Sequence, residues 1–148
     1  MEINWYCKKF DALLPFELYD LLRLRSEVFV VEQKCIFLDM DDNDQKCYHL
    51  LGYDKDTLAA YTRLVPPGAI YTEASIGRVV SRKATRRTGI GKALMDESIK
   101  RVYELFGEQP IKIGAQLYLK EFYGSFGFRQ VSGIYMEDYI EHIYMIKN

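Results

Sequence analysis

The sequence predicts a mixed α+β domain, and three observations carry that reading. Segments with the period-two alternation of a half-buried strand are interspersed with segments of 3.6-residue helical period. The 148 residues match the size of one domain and can bury a sizeable core without a disulfide or metal staple. No linker, repeat or low-complexity run divides them, so one domain over residues 1–148 is expected.

The elements follow in order. Ile3 to Phe10 alternates, with Ile3, Trp5 and Cys7 on one face, and reads as a first strand. From Pro15 to about Val31 the pattern is helical, with Phe16, Leu18, Leu21, Leu22, Val28 and Phe29 on a broad apolar face. Pro15 stands where a missing N–H costs nothing. Asp39-Met40-Asp41-Asp42-Asn43-Asp44 reads as a loop too polar to pack. Tyr48 to Tyr53 and Leu58 to Val65 are strands joined by the hairpin signal Asp54-Lys55-Asp56-Thr57. Ser75 to Val80 is a further strand. Gly89 to Phe106 is the clearest helix: Met95, Ile99, Val102 and Phe106 recur at helical spacing, and Gly107 stands at the C-terminal cap. Ile111 to Ala115 is a short buried strand, and Leu117 to Phe126 a short helix stopped by Gly127. Two last strands, Arg129 to Tyr135 and His142 to Ile146, complete the order β-α-β-β-β-α-β-α-β-β.

Composition excludes several classes of function. A formal net charge of −1 argues against a general affinity for nucleic acid or anionic membrane. No apolar run approaches the ~18 residues that a membrane-spanning helix needs. Met1-Glu2-Ile3-Asn4 does not begin a secretory signal, and Cys7, Cys35 and Cys47 are odd in number and irregular in spacing. A cytoplasmic protein with reduced thiols is expected. The tyrosines Tyr135, Tyr139 and Tyr144 leave open whether the C-terminal segment covers the core or makes a dimer contact, so both monomer and homodimer remain.

The chemistry concentrates in Ile76 to Met95, which reads as a strand, a basic turn and a long helix. A helix start offers unpaired N–H groups and a partial positive charge to an anion. Gly89 and Gly91 remove side chains where backbone must approach phosphate oxygens. Six basic residues and no acidic one lie between Arg78 and Lys92, a local excess in a nearly neutral chain. A Walker loop is excluded, because Ala93 follows Lys92 and the early glycine is missing. A dinucleotide fingerprint is excluded by Leu94 in place of its third glycine. What remains is Arg86-Arg87-Thr88-Gly89-Ile90-Gly91, a [QR]-x-x-G-x-[GA] pattern between strand and helix.

That pattern resembles the diphosphate-binding motif of the GNAT superfamily of N-acetyltransferases. Ala115 to Phe128, with Phe122-Tyr123 on a helix ending in Gly127-Phe128, resembles the family's second signature. Leu24-Arg25, Val28 to Gln33, His49-Leu50, Ile76 to Val79, Gly114 to Gln116, Glu137-Asp138 and His142-Ile143 are similar to the ElaA-type branch over nearly the whole chain. The resemblance implies a GNAT-type acyl-CoA N-acyltransferase fold, a central mixed, mostly antiparallel β-sheet flanked by helices. It also implies acetyl-CoA as cofactor, held by Val79, Val80, Ser81, Arg86, Arg87, Thr88, Gly89, Ile90, Gly91, Lys92, Gln116, Phe122 and Tyr123. Ser81 departs from the apolar residue usual there, and Gln116 replaces an asparagine. Backbone contacts to the pantetheine arm are insensitive to the first change.

By the same resemblance the acetyl group passes directly from the thioester to a primary amine of a small molecule, peptide or protein, without an acyl-enzyme, and Tyr123 is the general acid. The amine must first lose a proton, since at a pKa near ~10.4 only about one molecule in a few thousand is neutral at pH 7. The developing oxyanion needs a donor, for which backbone N–H around Val80 is a candidate. Glu32, His49 and Glu73 are candidates for the base, although Glu73 stands two residues out of the register in which some family members place a carboxylate. His49 reads equally as a hydrogen-bonded histidine at a strand start. Arg63 and Arg78 lie within strands and either bind a substrate carboxylate or pair with Asp39 or Asp41. A non-catalytic acyl-CoA-binding domain of the same fold is the alternative. No metal is expected: the acidic loop lacks the glycine and terminal glutamate of an EF-hand, and Cys35, Cys47 and His49 are one ligand short of a zinc site.

Overall fold

Alternation along Asn4–Lys9 (β1), Tyr48–Asp54 (β2), Thr57–Val65 (β3) and Ser75–Ser81 (β4) builds an antiparallel sheet in the order β1-β2-β3-β4. The computed structural model describes residues 2–148. Side chains leave the two faces of this sheet into separate cores. Leu50, Ala60, Leu64 and Ile76 pack against helix Ile90–Phe106 (α2), which contributes Leu94, Met95 and Val102. Leu51, Tyr53, Leu58 and Tyr61 pack against helix Pro15–Arg25 (α1) through Leu21 and Leu24. Ile3, Trp5 and Cys7 lie on the α2 side, as their alternation requires.

Ile111–Gln116 (β5), Arg129–Gln130 (β6), Tyr135–Glu137 (β7) and Ile140–Lys147 (β8) form a second antiparallel sheet. β8 pairs β5 along one edge, and β6 and β7 along the other. The mostly antiparallel sheet read from the sequence is therefore divided in two. The halves meet where Ala74 bridges Ile111 in parallel and its carbonyl accepts the Lys112 N–H at 2.9 Å. Beyond that point no ladder joins β4 to β5, and a wedge opens between their C-terminal halves. Helix Lys120–Gly124 (α3) closes the side of the wedge, with Tyr123 and Phe128 entering the α2 core.

Four expectations are corrected. The first helix does not run regularly to Val31: α1 ends at Arg25 and continues as a widened π-helical turn, Ser26–Glu32. Its i→i+5 bonds run from Gln33 N–H to Val28 and from Cys35 N–H to Val30, both at 3.1 Å. The widening falls where Val28, Val30 and Val31 lower helix propensity. The helix read over Leu117 to Phe126 is a 3₁₀ turn, Leu117–Leu119, leading into α3. The strand read over Arg129 to Tyr135 is broken into β6 and β7, because the Ser132 hydroxyl accepts the Tyr144 N–H at 2.9 Å and replaces a ladder carbonyl.

The fourth correction concerns Asp39 to Asp44, which is a loop but does pack. Asp39 and Asp44 are buried. Arg25, fully buried on α1, binds Asp39 through Nε at 2.7 Å and Asp44 through a terminal nitrogen at 2.8 Å. Arg63 on β3 binds Asp41 and Asp44 at 2.8 and 3.0 Å, and Arg78 on β4 binds Asp39 at 2.7 Å. Carboxylates that composition assigns to solvent are drawn inside because three arginines from three elements converge on them. A buried charge is tolerated only when so paired.

Candidate active site

The wedge between β4 and β5 is a cleft of about 500 Å³. Gly77 to Ser81 of β4 form one wall, and Ile113, Gly114 and Gln116 of β5 the other. The π-turn contributes Val28, Phe29 and Glu32, α3 contributes Phe122 and Tyr123, β7 contributes Glu137 and the β7–β8 turn Asp138.

The β4 wall is irregular. Ser81 pairs Ala60 and Val80 pairs Tyr61, but the next pair is Gly77 with Arg63. Arg78 and Val79 together therefore oppose Thr62, a β-bulge that leaves backbone groups outside the ladder. Arg78 takes a left-handed φ of 50°, sparsely populated for a residue with a Cβ. Its side chain is anchored: Nε donates to Asp39 Oδ1 at 2.7 Å, and a terminal nitrogen to the Asp39 carbonyl at 2.8 Å. The acidic loop thus holds the bulge.

At one end of the cleft lies the basic turn and the start of α2. Arg87 and Gly89 are left-handed, with φ of 65° and 85°, which turns successive N–H groups toward one side. No side chain caps α2, so its first N–H groups remain available, at the positive end of a 17-residue helix. A Cβ on Gly91 would meet only the Phe122 ring at 3.6 Å, an ordinary contact, so packing does not require glycine there. Arg86 lines the cleft and is held by Glu32 in a two-pronged pair at 2.6 and 3.0 Å.

The other motif side chains divide. Ile90 is buried in the α2 core, Lys92 pairs with Asp96 at 2.8 Å on the outer face, and the Thr88 hydroxyl bonds the Thr85 carbonyl. Arg87, Thr88, Gly89, Ile90 and Lys92 do not line the cleft with their side chains.

Tyr123 is 6 % exposed and lines the cleft. Burial, with the nearby Tyr118, raises its pKa well above the usual phenol value. The hydroxyl therefore stays protonated and is available as a donor. Phe122 packs on it edge-to-face at 5.2 Å. Gln116 lines the opposite wall and exchanges amide hydrogen bonds with Gln33 at 3.3 and 3.4 Å.

The candidates for base or substrate binding fare differently. His49 is fully buried and away from the cleft. Its Nε2 donates to the Asp44 carbonyl at 2.9 Å, its Nδ1 accepts from the Tyr61 hydroxyl at 2.7 Å, and burial lowers its pKa. It is a satisfied core histidine, which corrects its candidacy as base. Glu73 precedes β4 at the closed end of the wedge and does not line the cleft, so its register places it wrongly. Arg63 is buried against Asp41 and Asp44, and Arg78 is taken up by Asp39, so neither is free for a substrate carboxylate. Glu32 is in place, but its bond to Arg86 lowers its pKa and with it its basicity.

Sequence reasoning noted His142 and Glu137 only for their likeness to the ElaA-type branch and gave them no role; they line the cleft 3.5 Å apart, between Nε2 and Oε2. It missed Cys35, whose thiol donates to the Asp138 carbonyl at 3.2 Å and ties the loop after the π-turn to the β7–β8 turn. The signal for His142 was its alternation with Ile143 and Met145. Those two enter the core, so His142 must face the other way.

No helix among the described residues is long and apolar enough to cross a membrane. The family model of the acetyltransferase (GNAT) domain matches residues 27–148. A UPF0039 protein of Synechocystis is 42% identical over 147 residues, covering 99% of this chain and 96% of that one. The ElaA protein of Escherichia coli is 37% identical over 147 residues, covering 98% and 96%. The crystal structure of an acyl-CoA N-acyltransferase from Pseudomonas aeruginosa superposes with a TM-score of 0.95 at 40% identity, covering 99% of this chain and all of that one. That of E. coli ElaA superposes with a TM-score of 0.93, with the same coverage. A GNAT acetyltransferase from Elizabethkingia anophelis, solved with acetyl-CoA bound, shares the fold at 15% identity and a TM-score of 0.65, covering 98% and 97%. By the family model, by relatives at 37% identity or more over nearly the whole chain, and by the superposed structures, the chain belongs to the GNAT acetyltransferases, in the ElaA-like branch.

Proposed function

We propose that the protein transfers the acetyl group of acetyl-CoA directly to a primary amine. The observation that carries this reading is one cleft with three parts: an uncapped helix start, a bulged strand and a buried protonated tyrosine. When bound, acetyl-CoA supplies a thioester whose thiol is the leaving group. The N–H groups of Gly89 to Lys92 and the Arg86 side chain suit its diphosphate, and bare backbone at Gly91 permits close approach. Since Glu32 holds Arg86, engagement of the diphosphate by Arg86 releases a carboxylate into the cleft.

Val79, Val80 and Ser81 offer backbone groups to the pantetheine arm, and the bulge frees an N–H for the developing oxyanion. Phe122 and Gln116 bound the site on opposite sides. Tyr123, held protonated by burial, donates to the departing sulfur. The three unpaired thiols, Cys7, Cys35 and Cys47, support a reducing setting such as the cytoplasm.

Calorimetry with acetyl-CoA and with ATP, followed by an amine screen that detects free thiol, tests the proposal. Acetyl-CoA should bind in preference to ATP, and at least one amine should release thiol. Absence of acetyl-CoA binding at high micromolar concentration refutes the reading. Binding without thiol release from any amine favours a non-catalytic acyl-CoA-binding domain. Tyr123→Phe should leave acetyl-CoA affinity nearly intact and lower kcat by about 10²-fold or more. An unchanged rate removes Tyr123 from catalysis.

A further inference from the structure

We propose that His142, with Glu137 as its positioning carboxylate, takes the proton from the acceptor amine, and that the acceptor is a primary amine with no carboxylate beside it. The inference rests on the acetyl-transfer reading above and names its base and acceptor class.

The hydrogen bonds fix the tautomer of the neutral imidazole. Nδ1 lies 2.8 Å from the Ile140 carbonyl, which can only accept, so Nδ1 carries a hydrogen. In the neutral ring Nε2 is then a bare lone pair. It faces Glu137 Oε2 at 3.5 Å, and a carboxylate is also only an acceptor. With the ring neutral, these two acceptors are close enough for one donor group, placed to the side of the line joining them, to reach both. An alkylammonium has three N–H donors and a positive charge, and can bond both at once. The ring is held in place by Tyr135, whose ring centroid lies 5.7 Å from it at an interplanar angle of 30°, and by its seat on β8 opposite Gln116.

The charges around the cleft select the same ligand. Of the charged residues lining it, Glu32 is paired with Arg86 and Arg78 with Asp39. Glu137 and Asp138 have no cationic side chain as partner among the described residues, apart from the contact of Glu137 with His142. The open end is therefore anionic and draws cations. A substrate carboxylate would meet these two acidic groups and find both nearby arginines occupied.

The proton step balances. An N–H bond of the ammonium breaks, its hydrogen bonds to His142 Nε2, and the electron pair stays on nitrogen. That pair forms the N–C bond as the C–S bond breaks. A second amine proton ends on sulfur by way of Tyr123, which gives up its own proton and is reprotonated. The imidazolium, stabilised by Glu137, returns its proton to solvent. The ionisable groups that share this environment are Glu137 and Tyr135 on β7, Asp138 in the turn, Tyr144 on β8, Cys35 on the loop after the π-turn and Arg78 across the cleft.

The test is the pH profile of kcat/KM for wild type, His142→Gln and Glu137→Gln, with acetyl-CoA affinity measured for each. His142→Gln keeps an amide donor for Ile140, and Glu137 has a side chain 58% exposed, so its variant preserves the fold. Wild type should lose activity on acidification, as a reaction that needs an unprotonated base does. His142→Gln should lower kcat/KM about 10²-fold or more and abolish that limb. Glu137→Gln should lower kcat/KM for amines while the acid limb remains, because the base is still present and only the carboxylate that helps hold the ammonium is gone. Acetyl-CoA affinity should be unchanged in both. Alkyl monoamines and diamines should exceed α-amino acids in kcat/KM by about tenfold or more, the equivalent of one lost ionic contact. A His142→Gln enzyme with the wild-type limb and rate overturns the base assignment, and equal use of α-amino acids overturns the acceptor class. A wild type that binds acetyl-CoA but turns over no amine overturns the transferase reading itself.

Discussion

Asp39→Asn tests the device that holds the cleft wall. Asp39 gives one carboxylate oxygen to Arg25 Nε and the other to Arg78 Nε, each at 2.7 Å. Asparagine has one acceptor oxygen, so an NH₂ group must face one of the two guanidinium groups, donor against donor. The cluster of Arg25, Arg63, Arg78, Asp39, Asp41 and Asp44 changes from balanced to one net positive charge, around an Arg25 with no exposed surface. Breaking a buried pair from one side costs about 3–5 kcal/mol. Arg78 is partly exposed and can turn toward Asp41, 3.5 Å away, which puts the expected cost near the lower figure, about 3 kcal/mol. At about 2–4 °C per kcal/mol for a chain of this length, Tm should fall by about 6–12 °C. Urea unfolding measures the free energy directly, with an unchanged slope showing that the unfolded state is not altered. Glu27→Gln, which removes the exposed Arg23–Glu27 pair, is the control and should cost about 0.5 kcal/mol or less. Because Arg78 sits in the bulge, Asp39→Asn should also lower kcat at temperatures where the variant is fully folded. A cost no greater than that of the Glu27 control would refute the claim that the buried cluster anchors the loop.

Two further predictions address the ligand loop and the charge network. Gly91→Ala adds a methyl group that meets only the Phe122 ring at ordinary distance, so stability should hold or rise by up to about 1 kcal/mol through helix propensity. Acetyl-CoA affinity should fall by about tenfold, the value of one charge-assisted hydrogen bond near 1.5 kcal/mol; unchanged affinity in calorimetry would exclude close backbone approach there. For acid stability, burial opposes ionisation of Asp41 and Asp44, but their bonds to Arg63 and Arg25 outweigh it and depress both pKa values. Burial likewise depresses that of His49. Each group is less protonated in the folded than in the unfolded state, so each contributes stability that is complete above its unfolded pKa and lost as pH falls. Urea unfolding at constant ionic strength should therefore show a first loss below about pH 6.5, from His49, and a steeper one below about pH 4, from the aspartates. Equal stability at pH 3 and pH 7 would contradict the network.

The basic turn and helix start proposed for the donor were legible along the chain because their determinants are local. A helix start, two glycines and a run of basic residues are neighbours in sequence, and their chemistry depends on backbone geometry that short-range rules specify. Tyr123 was legible for the same reason, four residues before the Gly127 turn. The strands and both main helices followed from periodicity; it failed where α1 widens into the π-turn, where Leu117–Leu119 tightens into a 3₁₀ turn, and where Ser132 takes over a backbone role between β6 and β7.

What periodicity could not reach were pairings across long stretches of chain. Asp39 to Asp44 looked solvated because polarity was judged segment by segment, whereas its partners come from α1, β3 and β4. His49 drew attention as a histidine near a strand start, yet tertiary packing buries it against Tyr61 and Asp44. His142, the other histidine, reaches the cleft only because β4 and β5 separate after a single bridge and because β7 brings Glu137 beside it. The sequence by itself determined the turn and helix start proposed here to receive an anionic cofactor, since they are made of contiguous backbone. Only the tertiary structure decided which charged side chains are consumed in pairs and which remain free to meet the acceptor, because Coulomb energy depends on distance in space and on burial rather than on separation along the chain.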